Sequence, residues 1–262
     1  MVVRPHMSYT DMMIPIKIVN TISPELVNNV IRSTNRQTQV LDEAFESLKE
    51  FHKQLQEYYE TYSGEDRLYY ERRSHEFDEE KRLRRYNVIT LPVQLQAFMS
   101  MFLEEPHSMH RYYGELLRAN KNRLFQNGHQ LIAYYTSAKT LQCVEKALNN
   151  GSIDMKWRYY RYHILLLIQT FLRKINGIKF VPAPTSKDMN RFCTSILKIV
   201  NDEKNLDIVL QASIHHIDKT LEEQKSKSRL SNGPERTKEF TMALLANVDQ
   251  TITKVEKWNK CI

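Results

Sequence analysis

Residues 157–172 read WRYYRYHILLLIQTFL, and within them Ile164-Leu165-Leu166-Leu167-Ile168 is apolar on every side of a helical wheel. A helix apolar all round is a central helix covered by neighbours, whereas a surface helix keeps one wet face. The run is far too short to span a bilayer, which takes about 20 apolar residues. The fold it implies is a helical array wrapped around this segment.

Composition agrees with that expectation. The 262 residues include only 6 glycines, where average usage would supply roughly 18. Folds built on repeated glycine turns, Rossmann units and propellers among them, are therefore disfavoured. With 41% hydrophobic and 26% charged residues, the chain can bury an ordinary core and is not a disordered sequence.

Working outward, Leu41, Phe45, Leu48, Phe51, Leu55, Tyr58 and Tyr62 recur every three or four positions and predict one long helix from Leu41 to Tyr62. Leu91 to Leu103 predicts another, stopped by Pro106. Further helices are expected at about Met109 to Asn120, Tyr134 to Asn149, Trp157 to Asn176, Lys187 to Asn201, Asn205 to Lys227 and Pro234 to Lys257. The last two pair as a hairpin in this reading, with Val209, Ile214, Ile217 and Leu221 facing Phe240, Leu244, Val248, Ile252 and Val255. Ile14 to Val19 alternates and is β-branched, so it is the best strand candidate; Ser23-Pro24 then opens a short helix through about Ile31. Leu68 to Arg85 has poor periodicity and reads as an exposed strand or loop. The expected organisation is a partial α/β element over 1–40, a helical core over 41–176 and a C-terminal helical hairpin or bundle over 177–262. Mainly α, with a small α/β remnant at the N-terminus, is the fold class.

Sites of familiar chemistry are scarce. There is no phosphate loop, no H-E-x-x-H, no G-x-S-x-G and no kinase set. His107 and His110, and the adjacent His215 and His216, lack a Cys, Asp or Glu at metal-site spacing and read as capping or surface residues. Asp202-Glu203-Lys204 carries the letters of a nuclease centre but no partner aspartate on a preceding strand. No catalytic residue, metal or cofactor is expected. The cysteines, Cys143, Cys193 and Cys261, are widely spaced and odd in number, as in a protein of a reducing cytoplasm.

Charge and aromatic patterning points elsewhere. Lys and Arg number 38 against 31 Asp and Glu, a formal net charge of +7. Tyr69, Tyr70, Arg72 and Arg73 form one cluster in which rings could stack bases and guanidinium groups neutralise phosphates. Lys81, Arg82, Arg84 and Arg85 follow, with Glu76, Asp78, Glu79 and Glu80 between, so an internal salt-bridge network competes with binding. Lys156, Arg158, Tyr159, Tyr160, Arg161 and Tyr162 form a second cluster with no acid inside it. Asn35, Gln37 and Gln39 form a dense amide group in a polar loop that also carries Arg36, where side-chain amides cap turns or bind a base edge or backbone.

Several of these stretches together resemble the AIPR family of bacterial abortive-infection phage-resistance proteins: residues 14–19, 33–40, 51–55, 68–73 and 88–107. The resemblance runs over about residues 14–175 and rests most on Thr34-Asn35-Arg36-Gln37 and Tyr69-Tyr70-Glu71-Arg72-Arg73 with a long helix between. It implies a role in antiphage defence, in which infected cells stop growing or die before phage matures, with no established reaction. Members commonly carry an upstream restriction-endonuclease-like domain and an N-G-x-Q-T signature, so the resemblance implies a C-terminal portion or truncated member. A weaker similarity, from Ile14 to about Ala44, is to the second half of ParB/sulfiredoxin-like domains, and would map a nucleotide-phosphate loop onto Asn35 and Arg36.

Two functions are expected on these grounds. The first is a non-catalytic binding or effector module that recognises nucleic acid or a partner protein through Tyr69–Arg73 and the Asn35 loop. The alternative is a nucleotide-dependent enzyme or nuclease fragment that needs an N-terminal half. Homo-oligomerisation through the edge of the Ile14–Val19 strand is a further expectation.

Overall fold

The structure is a computed structural model that describes residues 49–72, 76–77, 83–226, 233–249 and 251. The strand expected at Ile14–Val19, the short helix after it, the loop with Asn35, Arg36 and Gln37, and Arg73 lie outside the described residues. All the described residues belong to one compact unit, residues 41–262.

The described elements run α1 (Glu50–Glu60), β1 (Tyr69–Glu71), β2 (Val88–Thr90), α2 (Leu91–Phe102), α3 (Tyr113–Ala119), α4 (Leu131–Asn149), α5 (Arg161–Ile175), α6 (Lys187–Val200), α7 (Glu203–Ser226) and α8 (Lys238–Ala246). Short 3₁₀ turns at Pro106–His110, Met155–Tyr160 and Pro234–Arg236 join several of them. The protein is mainly α. No helix among the described residues is long and apolar enough to cross a membrane.

The centre is where the sequence places it. Every residue from Ile164 to Ile168 is buried, because α2 and α4 pack on α5 from one side and α6, α7 and α8 from others. α4 is nearly as buried but far more polar, with Thr136, Ser137, Thr140 and Gln142 inside. Several of its hydroxyls are satisfied locally: Thr140 donates to the Thr136 carbonyl at 2.8 Å and Ser137 to the Tyr134 carbonyl at 2.9 Å. One buried core runs from Phe51 to Val248.

The only sheet among the described residues is a parallel pair, Tyr69 opposite Val88, Tyr70 opposite Ile89 and Glu71 opposite Thr90. Parallel strands need a crossover of a dozen or more residues, which residues 72–87 supply. β1 falls within the expected strand or loop at Leu68–Arg85, but the expected exposure is corrected: Leu68 and Tyr70 are core residues. β2 runs straight into α2, whose first turn is capped by Thr90 accepting from the Val93 N–H, with Pro92 in that turn.

Other differences have local causes. The helix expected from Met109 splits into the 3₁₀ turn and α3, because Arg111 is extended and the Tyr112 ring lies across Gly114, where a Cβ would sit 2.7 Å from it. α5 starts at Arg161 because Asp154 caps a separate 3₁₀ turn by accepting from the Lys156 N–H. α8 starts at Lys238, capped by Thr237, which accepts from Phe240 N–H. The hairpin of the last two helices is present: Asn247 donates to Glu223, and His216 bonds Thr251 and the Leu244 carbonyl in the antiparallel sense. His216 is thus a core residue, which corrects its reading as a cap or surface histidine.

Candidate nucleic-acid interface

The strand carrying Tyr69 and Tyr70 is held from below by α1. Leu55 and Tyr59 of that helix are buried, and Tyr70 turns inward beside them, its hydroxyl 2.6 Å from His52 Nδ1. The turn before the strand is fastened by α4: Lys139, buried to 4% exposure, donates to the Glu65 carbonyl at 2.7 Å and pairs with Asp66 at 3.1 Å, while Tyr135 donates to the Asp66 carbonyl. Strand alternation then sends Tyr69 and Glu71 the other way from Tyr70, to half-exposed positions. Of the two tyrosines, Tyr69 is the one at the surface, and Tyr70 is a packing residue.

Arg67 links the helix end to that surface. Its guanidinium donates to the Tyr59 and Tyr62 carbonyls at the C-terminus of α1 and lies 5.3 Å from the centroid of the Tyr69 ring. A cation there complements the exposed carbonyls of a helix end. Arg72 donates from Nε to Gln56 Oε1 at 3.1 Å, Gln56 donates on to Glu76, and Glu76 also accepts the Arg72 backbone N–H. Phe77 meets the Tyr69 ring edge-on. Glu76 thus engages the segment through Gln56 and the Arg72 backbone N–H, while Tyr69 and Arg72 stay half-exposed. On the neighbouring strand's approach, Arg84 is exposed and lies 5.9 Å from the Tyr86 ring, donating to its hydroxyl.

The second cluster has a different form. Lys156 lies over the Trp157 ring at 5.1 Å, and Arg161 over Tyr162 at 4.6 Å. Tyr162 is buried and donates to Gln96, whereas Tyr159 is 64% exposed. Glu145 of α4 takes both Arg158 and Arg161, at 3.6 and 3.3 Å. Sequence distance conceals this acid, so the cluster that reads as free of acids has one beneath it.

The histidines occupy three environments. His107 reaches Thr241 of α8 at 3.2 Å, His110 is exposed, and His163 is buried against Tyr160 and Phe240 with no protein hydrogen-bond partner for either ring nitrogen. Burial, reinforced by the charges of His107 and His110, pushes the His163 pKa down to about 3. Among the described residues no three His, Cys, Asp or Glu side chains are placed to share a metal ion. Cys143 and Cys193 are buried free thiols, and burial raises them to about 11 and about 12, so neither is a ready nucleophile.

In comparison with known proteins, the AIPR protein family model matches residues 5–247. The match reaches well beyond Asn176, through α6 and α7 and into the C-terminal hairpin, where the sequence shows no resemblance by eye. No curated protein and no solved structure matches the chain.

Proposed function

The chain belongs to the AIPR family of abortive-infection phage-resistance proteins, and on that premise we propose that it acts in antiphage defence as a binding module that recognises nucleic acid through the β1–β2 surface. The observation that carries this reading is the pairing of guanidinium groups with half-exposed rings there: Arg67 with Tyr69 and Arg84 with Tyr86. Such pairs offer a π-face for a base and a cation for the adjoining phosphate. Tyr70, Lys139 and the α1 face hold the surface rigid, which lowers the ordering cost of binding. Arg73 and the Asn35-Arg36-Gln37 loop belong to the same proposal through the family resemblance.

The test is fluorescence anisotropy with labelled oligonucleotides across a salt series. The wild-type chain is expected to bind at about 0.05 M salt and to weaken as salt rises, and Arg84→Gln with Arg72→Gln to bind more weakly with a salt slope shallower by about 0.7 per lost single-strand phosphate contact. If the wild type fails to bind even at low salt, the nucleic-acid reading is wrong and a protein partner takes its place.

A further inference from the structure

The second cluster is not confined to one stretch of chain. The 3₁₀ turn Pro106–His110 packs on the turn Pro234–Arg236 and on α5, and α5 also packs on the turn Met155–Tyr160 that precedes it. His110 accordingly feels the charges of Arg236, Glu235 and Arg161, and His107 those of Glu105, Lys238, Arg111 and Glu239. Cations from three segments well separated in sequence, the first and last more than a hundred residues apart, therefore approach one another around these turns.

The depth of the acids decides the sign of that surface. The Glu145 side chain is 17% exposed, while Arg158, which pairs with it, is 51% exposed. Glu235 is 9% exposed and its partner Arg236 63%. In both pairs the carboxylate lies underneath and the guanidinium outside, and Glu145 serves two arginines at once. A ligand approaching Arg158 or Arg236 from solvent meets the cation before its carboxylate partner, so the field at these two pairs is positive, with Asp154 and Glu239 the exposed acids of the same segments.

The Met155–Tyr160 turn presents an aromatic ring. Tyr159, 64% exposed, projects from the Met155–Tyr160 turn between Arg158 and Tyr160 in sequence, with Lys156 three residues before it. An exposed ring set among outward cations suits one occupant better than others: a flexible strand offering a base every phosphate. Duplex nucleic acid would hide its π-faces, and an acidic polypeptide would have no use for the ring.

We propose that the three turns form a second binding surface for single-stranded nucleic acid, with Tyr159 stacking on a base and Arg111, Lys156, Arg158 and Arg236 contacting phosphates. This rests on the reading that the protein binds nucleic acid, and adds contacts on other elements than β1 and β2. α4 connects the two, since Glu145 lies beneath this surface while its neighbour Lys146 reaches Glu65 in the turn before β1, at 3.9 Å.

The experiment uses the full chain and labelled oligo-dT and oligo-U of about 20 nucleotides. Tyr159→Ala is expected to weaken binding about tenfold and Tyr159→Phe to leave it unchanged, because stacking needs the ring and not the hydroxyl. Lys156→Gln should reduce the salt slope by about 0.7. If the wild type binds and loses affinity on Arg84→Gln but not on Tyr159→Ala, this surface is ruled out and the β1–β2 reading stands. Absence of any wild-type binding removes both. Competition by poly-glutamate that equals oligo-dT at matched charge, with Tyr159→Ala neutral, would assign the surface to an acidic protein instead and overturn the proposal.

Discussion

Gln94→Leu is expected to lower stability by about 2–4 kcal/mol. Gln94 is fully buried in α2, where its amide donates to the Tyr134 carbonyl at 3.0 Å and to Ser137 at 3.4 Å, and its oxygen accepts the Tyr59 hydroxyl at 2.5 Å. One side chain thus ties α1 to α2 and α4. Leucine has nearly the same volume, so the loss is not a cavity effect. It comes from leaving the Tyr59 hydroxyl with only the longer 3.3 Å bond to the Tyr134 carbonyl and from stranding polar groups in the core. Removing both partners, as in Tyr59→Phe with Gln94→Leu, should cost clearly less than the two single changes added together, since an apolar pair leaves nothing unsatisfied. Urea denaturation of the wild type and the three variants measures that coupling. Strict additivity would show that the network is not a unit. α1 also carries His52, the partner of Tyr70, so loosening α1 should weaken any binding at Tyr69.

The second large effect is on pH dependence. The unfolded His163 titrates near 6.5 and the folded one near 3. Between those values the unfolded chain binds a proton that the folded chain refuses, so stability is full above about pH 6.5 and falls as pH falls, by about 1.4 kcal/mol per pH unit from this group. At pH 4.5 the loss is about 3 kcal/mol. Burial lowers His107, His110, His129 and His216 as well, and these steepen the same limb. His163→Phe should flatten the acid limb by the His163 share. It should also hold or raise stability at neutral pH, because two unpartnered ring nitrogens leave the core. Melts at pH 7.5, 6, 5 and 4.5 give the comparison; equal slopes in variant and wild type would contradict the assignment.

What could be read from the residues divides along physical lines. α5 was legible because a helix apolar all round has one stable placement, and α2 and α6 were legible because caps and prolines mark their ends. The bounds of the three-residue strands and the depth of β1 were not. Val88-Ile89-Thr90 is too short for a period-2 signal, and its partner Tyr69-Tyr70-Glu71 hides a core tyrosine among charges whose inward turn depends on His52 and Tyr59 from another helix. Pattern within a segment also cannot show that α4 places Glu145 under Arg158 and Arg161, or that the Pro106–His110 turn packs on the Pro234–Arg236 turn. The candidate rings and cations were thus visible singly, while their depth and company were properties of the packing. Asn35, Arg36, Gln37 and Arg73 rest on the sequence and the family alone.

The most direct test of the central claim is phage plating with the chain expressed alone, beside Asn35→Ala with Arg72→Ala and Arg73→Ala. If the chain is a defence protein acting through these residues, the wild type lowers plating efficiency and the triple variant, matched in expression and melting temperature, restores it. Equal protection by both would contradict the assignment of these residues, and no protection by either would show that the chain does not defend by itself.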